Sequence, residues 1–210
     1  AILTADAAEW HYSKDLDSEG LVRQFTDFVA LLEAAGSEVL WFDDYPDELA
    51  DSIFTYDPSF MLNDGAVLLR PGKEKRRGEV DVHRRFYERL GIPIIGEVDA
   101  SGTIEGGDCF WVNSSTLAVG KGFRTNDAGI SQLRNLVAAE GIDVLQFDLP
   151  YYKGPDACLH LMSLVSPLSS DLAIVFEPLL PDGLAGTLKD FGFDLLRAPE
   201  NEFNQSHGLS

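Results

Sequence analysis

Cysteine is scarce in this sequence, with two among 210 residues, Cys109 and Cys158, and neither lies in a paired-cysteine motif. A disulfide framework and a structural zinc cluster therefore have no support. Long apolar runs are missing too. Stretches such as Ala66-Val67-Leu68-Leu69 fall far short of the roughly 20 residues that cross a bilayer, and no charged-then-apolar signal segment opens the sequence. Basic charge is also in short supply. Sixteen Lys and Arg stand against 35 Asp and Glu, a formal charge of −19 that repels phosphate backbones and anionic lipid surfaces alike. Nucleic acid and membrane are thus disfavoured as partners, and a soluble, cytoplasmic protein is expected. Half of the basic residues fall between Arg70 and Arg89, including the run Lys73, Lys75, Arg76, Arg77. Such runs most often form a solvated loop and helix face.

What the sequence does contain is globular: 45% hydrophobic and 24% charged residues, at a length that suits one large domain, residues 1–210, with a real core. An internal rhythm runs through it. Gly36, Gly91, Gly141 and Gly192 each close a helix-like stretch and precede a short apolar run, at Glu38 to Phe42, Ile92 to Ile95, Asp143 to Phe147 and Phe193 to Leu196. Glycine is the residue expected where a helix ends in a left-handed turn. The helices themselves show three- and four-residue apolar steps, as in Leu21, Phe25, Phe28, Val29, Leu32 and again in Ile130, Leu133, Leu136, Val137. Apolar strands at Ala66 to Leu69, Leu117 to Val119 and Leu172 to Phe176 precede three of the glycines, and extra strands are expected at 53–56, 110–112 and 158–165. Two strands, a helix and a strand in a unit of about 50 residues fit a radial repeat better than a doubly wound sheet, which uses one strand per helix. A dinucleotide fingerprint is absent, because Gly106-Gly107 precedes a strand rather than a helix.

Several polar residues stand where such units present side chains to a pocket. His160, in Asp156-Ala157-Cys158-Leu159-His160-Leu161-Met162-Ser163, shares a strand face with Cys158 and Met162 by alternation. An imidazole suits proton transfer at neutral pH, and the plainer reading is a hydrogen-bonded core histidine. Glu105-Gly106-Gly107-Asp108 places two carboxylates around two glycines that let backbones approach closely; an acidic turn is the plainer reading. Asp51 and Asp57 bracket Ser52 to Tyr56 before Pro58, and paired carboxylates suit a planar guanidinium. Arg70 and Arg124 each follow a strand and are candidates to clamp a carboxylate, or else are surface ion pairs.

Five motifs in order, Phe54-Thr55-Tyr56-Asp57-Pro58, Leu69-Arg70-Pro71-Gly72, Glu105-Gly106-Gly107-Asp108, Gly122-Phe123-Arg124-Thr125-Asn126 and Cys158-Leu159-His160-Leu161-Met162-Ser163, resemble the dimethylarginine dimethylaminohydrolase-like branch of the amidinotransferase superfamily. The resemblance covers nearly the whole sequence. It implies an α/β-propeller of the pentein type, built from ββαβ units and incomplete here, with the first strand and the C-terminal nucleophile-bearing part lacking. It further implies a hydrolase of arginine-like guanidines that works through a covalent cysteine intermediate, with no metal or organic cofactor. His160 would carry the proton and Glu105 would orient it. Asp57 and Asp51 would hold the guanidinium nitrogens, Arg70 and Arg124 the carboxylate end, and Asp108 would be a further substrate-binding residue. The family's nucleophilic cysteine follows an acidic segment like Pro199 to Phe203, and no cysteine follows here. Cys158 is the best internal substitute, Cys109 a poorer one, and Ser206 and His207 weaker still. The sequence therefore leaves open a non-catalytic arginine-binding protein, or an interaction domain whose open strand edges pair in a homo-oligomer. Tyr56, where relatives that cleave dimethylarginine often carry an acid, and Met162, where arginine deiminases carry an aspartate, leave the substrate open.

Overall fold

All four punctuating glycines adopt the left-handed conformation, with φ of 92° at Gly36, 67° at Gly91, 71° at Gly141 and 92° at Gly192. A side chain there would meet strain rather than neighbours, since nothing lies within 4 Å of an added Cβ at any of them. The computed structural model describes residues 9–10, 12, 17–42, 45–46, 48–155, 157 and 159–206, with residues 205 and 206 described by backbone only. It divides into two compact units, 1–54 and 55–210.

The larger unit holds three copies of one arrangement. The first is β1 (Ser59–Leu62), β2 (Gly65–Leu68), α2 (Gly78–Leu90) and β3 (Ile94–Glu97); the second is β4 (Cys109–Asn113), β5 (Thr116–Lys121), α3 (Asp127–Val137) and β6 (Asp143–Asp148); the third is β7 (Val165–Pro167), β8 (Leu172–Val175), α4 (Leu184–Asp190) and β9 (Asp194–Arg197), followed by α5 (Glu200–Ser206). In every copy the first two strands form an antiparallel hairpin and the strand after the helix joins the second in parallel, giving three separate three-stranded sheets. The expected ββαβ unit is thus the unit observed.

Helix α3 begins at Asn126, whose side-chain oxygen accepts from Gly129 N, and its apolar stripe Ile130, Leu133, Val137 is wholly buried. That stripe packs with Phe60 and Val67 of the first sheet and Leu117 and Val119 of the second. Leu184 and Leu188 of α4 likewise pack with Phe110 and Ala118 of the second sheet and Ala173 and Val175 of the third. Each of these helices therefore joins two successive sheets into one core.

Two expected strands take another form. At 53–56 the backbone makes a 3-10 turn, Ala50–Ile53, and bends, and β1 starts only after Pro58, which has no N–H to give to a ladder. At 158–165 His160 is extended, Leu161–Ser163 form a 3-10 turn, and pairing begins at Val165. Side chains there take the backbone donors that a ladder would use, since Ser163 Oγ accepts from His160 N at 3.3 Å and Asp108 accepts from Leu161 N at 3.0 Å. The expected pairing of Cys158 with His160 on one face falls partly outside the described residues.

In the smaller unit, α1 (Ser18–Ala34) is capped by Asp17, which accepts from Gly20 N at 3.0 Å. Its amphipathic face is not a core face, because Phe25 and Phe28 are exposed and Gly20 is the helix's one buried residue. Residues 38–42 form no strand, which corrects the expectation. In the other units this segment pairs with a strand that precedes the helix, and no such strand occurs before α1 among the described residues.

Candidate active site

The repeat sets the positions of the polar residues. Asp57, Glu105 and His160 each lie a few residues before the first strand of successive units, and Arg70 and Arg124 a few residues after the second strand of the first two. Equivalent points of successive units thus supply the polar groups, and an oxygen or ring nitrogen from each of Asp57, Glu105 and His160 lies within 4.8 Å of the others.

Glu105 is wholly buried and forms the hub. His160 Nε2 lies 2.7 Å from its Oε2, Arg124 Nη1 donates to both carboxylate oxygens at 3.0 and 3.1 Å, and Lys73 N donates to Oε1 at 3.2 Å. Burial pushes the Glu105 carboxyl up, but the hydrogen bond and charge of His160, the charge of Arg124 and the Lys73 N–H outweigh it and bring the group down to about 2. Glu105 is therefore an anion at neutral pH, able to hold His160 in one orientation and stabilise its charged form.

The glycines of the motifs serve this packing. A Cβ on Gly107 would stand 2.5 Å from His160 Nδ1, and one on Gly106 2.0 Å from the Tyr56 carbonyl oxygen. A Cβ on Gly72 would stand 2.5 Å from the Arg124 carbonyl oxygen, so this glycine allows the loops after β2 and β5 to touch, which brings Lys73 N to Glu105.

Asp57 anchors a second cluster. Its Oδ1 accepts from Gly107 N at 2.8 Å, and its Oδ2 pairs with Arg76 Nη1. Arg76 is itself clamped by Glu79, through Nε at 3.0 Å and Nη2 at 2.7 Å, and all three side chains are buried. Burial works against the Arg76 charge, but Glu79, Asp57 and Glu105 together raise its pKa. Arg76 stands in a basic run of the kind that is usually solvated, and it is buried here. Its signal was Glu79, three residues on at the start of α2, the spacing at which helical side chains meet. Asp57, Glu105 and His160 also lie at a spacing that would suit a metal ion.

Asp108 is wholly buried, with Oδ2 accepting from Thr125 Oγ1 at 2.6 Å and Oδ1 from Leu161 N at 3.0 Å. Arg70 donates Nη1 to the Gly102 carbonyl at 3.1 Å. Asp51 lies in the smaller unit, where it accepts from Tyr12 OH at 2.5 Å. Cys109 is buried, and burial followed by the charges of Asp108 and Asp57 raises its thiol well above the usual range. It is a poor nucleophile at neutral pH. Cys158 and His207 lie outside the described residues, as does the side chain of Ser206.

A family model described as arginine deiminase matches residues 28–190. The chain belongs to the arginine deiminase family. It is 34% identical over 176 residues to an N(G),N(G)-dimethylarginine dimethylaminohydrolase of Streptomyces coelicolor, covering 83% of this chain and 65% of that protein. Among solved structures, a dimethylarginine dimethylaminohydrolase carrying an adduct of 4-chloro-2-hydroxymethylpyridine superposes with a TM-score of 0.73 at 23% identity, over 89% of this chain and 70% of that one. The enzyme of Pseudomonas aeruginosa complexed with citrulline superposes with a TM-score of 0.63 at 25% identity, over 75% of this chain and 57% of that one. The propeller-type α/β fold expected from the ββαβ rhythm is the fold of these neighbours. The chain spans just under two thirds of the length of the Streptomyces relative. Among the described residues, no helix is long and apolar enough to cross a membrane.

Proposed function

We propose that this chain carries the guanidinium-holding and proton-transferring part of a hydrolase site that cleaves a C–N bond of an arginine-like substrate. The observation that carries the reading is the buried anion Glu105 at 2.7 Å from the partly open His160, with the buried Asp57 beside both. Glu105, held as an anion out of water, favours a planar cation, and two parallel charge-assisted hydrogen bonds favour a guanidinium over an ammonium. The Arg124 guanidinium at Glu105 is consistent with that preference. In this reaction a thiolate adds to the guanidinium carbon, and the C–N bond to the departing amine breaks as His160 supplies its proton. Water, giving a proton back to His160, then displaces the thiol and leaves a ureido product. Citrulline, the ligand of the Pseudomonas enzyme, is such a product. The thiolate is not Cys109, whose thiol is buried and held neutral. Arg124 would meet a substrate carboxylate, a role supported by its side chain being 13% exposed.

A second reading, a non-catalytic binder of arginine-like guanidines, is favoured by that neutral thiol. One experiment separates the two. Calorimetry with L-arginine and with dimethylarginine is expected to show binding that Glu105→Gln abolishes, and the absence of binding by either ligand rejects both readings. Release of ammonia or dimethylamine in the same samples selects the hydrolase, and binding without release selects the binder.

A further inference from the structure

His160 and Glu105 come from different units, 55 residues apart in sequence, yet their reacting atoms sit at 2.7 Å. Side chains alone do not fix such a distance; the two backbones must be tied. On the Glu105 side, the backbone N–H donates to Thr125 Oγ1 at 3.2 Å. The Thr125 hydroxyl then donates to Asp108 Oδ2 at 2.6 Å. On the His160 side, the next residue's N–H, Leu161 N, donates to Asp108 Oδ1 at 3.0 Å. Each oxygen of one carboxylate thus serves one member of the pair, with Thr125 as the bridge to Glu105.

We infer that Asp108 and Thr125 are positioning residues that clamp the backbones of Glu105 and His160 and so set the geometry of the proton-transfer pair. The sequence suggested contact between Asp108 and substrate, but both its oxygens are spent on protein donors and neither residue has any solvent exposure. The cost of this placement is visible. Burial raises the Asp108 carboxyl to about 6, against the charge of His160 and the hydrogen bonds of Thr125 and Leu161. A buried group so expensive to ionise is a poor choice for packing and a good one for holding two donors. Thr125 Oγ1 donates once and accepts once, a combination that valine of the same shape lacks entirely and serine retains.

The clamp takes its importance from the proposed role of His160, but its test needs no substrate. In 15N-labelled protein the His160 Nε2 signal, assigned by its loss in His160→Gln, reports the bond to Glu105. Thr125→Val is expected to shift that signal away from the parent position, Thr125→Ser to restore it, and Asp108→Asn to shift it as Thr125→Val does. The amide spectra of the variants serve as the check on folding, and where Asp108→Asn does not fold the Thr125 pair decides alone. A folded Thr125→Val with the parent Nε2 signal overturns the inference, as does a Thr125→Ser indistinguishable from Thr125→Val. In parallel calorimetry, L-arginine affinity is expected to fall about tenfold in Thr125→Val, about the loss of one hydrogen bond, and to return in Thr125→Ser. Should the parent bind no guanidine while the Nε2 pattern holds, the clamp stands and the proposed function falls.

Discussion

Two carboxylates of this molecule each hold an arginine, and they hold it differently. Asp57 receives Arg76, which Glu79 grips from the other side, and all three are shut away from water. Glu105 receives Arg124 and His160, whose side chains are 13% and 12% exposed. The first cluster is closed, with its charges matched inside the protein. The second presents a buried anion to partners that reach solvent. Charge buried without an opening fixes structure, whereas charge buried beneath one is available to a ligand and to protons. The same pairing of acid and guanidinium therefore predicts different consequences when it is broken.

The largest effect belongs to the closed cluster. Arg76→Ala leaves two buried carboxylates without their cation, and loss of one partner of a buried pair typically costs about 3–5 kcal/mol. Chemical denaturation is expected to show a loss of that size. Arg76→Lys should recover only part of it, because an ammonium cannot meet Glu79 through two parallel hydrogen bonds. A full rescue by lysine would mean that charge alone, and not the fork, holds the cluster.

Glu105→Gln comes next, with a loss of about 1–3 kcal/mol at neutral pH as charge-assisted bonds to His160 and Arg124 become ordinary ones. Its pH dependence is the sharper test. The folded Glu105 carboxyl stands at about 2, below its ordinary 4.5, so its contribution is fully present above about 4.5 and is lost as pH falls through 2. The stability curves of parent and Glu105→Gln should therefore converge across that window. Asp108 acts in the opposite sense, since a carboxyl raised to about 6 stabilises below its ordinary 3.8 and loses that contribution as pH rises through 6. It is present in both proteins, but Glu105→Gln removes the charge that helps raise it, so the difference between the two curves above pH 3.8 carries both groups, and the Glu105 contribution is read below that. Parallel curves between pH 4.5 and 2 would show that Glu105 is not held as an anion by its partners.

Much of this was legible in the sequence, for local reasons. The four glycines end helices or their terminal turns because left-handed backbone excludes most side chains, and a pattern of single residues can report that. The strands after Gly91, Gly141 and Gly192 followed, because each finds a parallel partner in its own unit. The segment after Gly36 carries the same apolar pattern and forms no strand, since a strand is a property of a pair and not of a run. The hub of Glu105 and His160 was legible as a motif set, but the turn that holds His160 was not. Alternation predicts a strand there, while the side chains of Ser163 and Asp108 take over the backbone donors, and Asp108 is 53 residues from the donor it serves. Arg76 was hidden for the same reason, because its burial is decided by Asp57, 19 residues earlier.

Arg77 gives the smallest effect and the cleanest control for that last point. It is adjacent to Arg76, carries the same charge in the same basic run, and pairs with Glu74 at 3.1 Å, yet its side chain is 34% exposed and that of Glu74 82%. Water screens this pair, and ordering two long side chains offsets most of what the attraction contributes. Arg77→Ala should therefore change stability by less than about 0.5 kcal/mol, within the usual range for an exposed substitution. High salt should leave the parent's stability almost unmoved by this pair, since there is little to screen. If Arg77→Ala proved as costly as Arg76→Ala, the run would be acting through its summed charge on the acidic chain, and the distinction between closed and open clusters would fail. If the two neighbours differ as expected, the difference lies in what Asp57 and Glu79 bring to one position and not to the next.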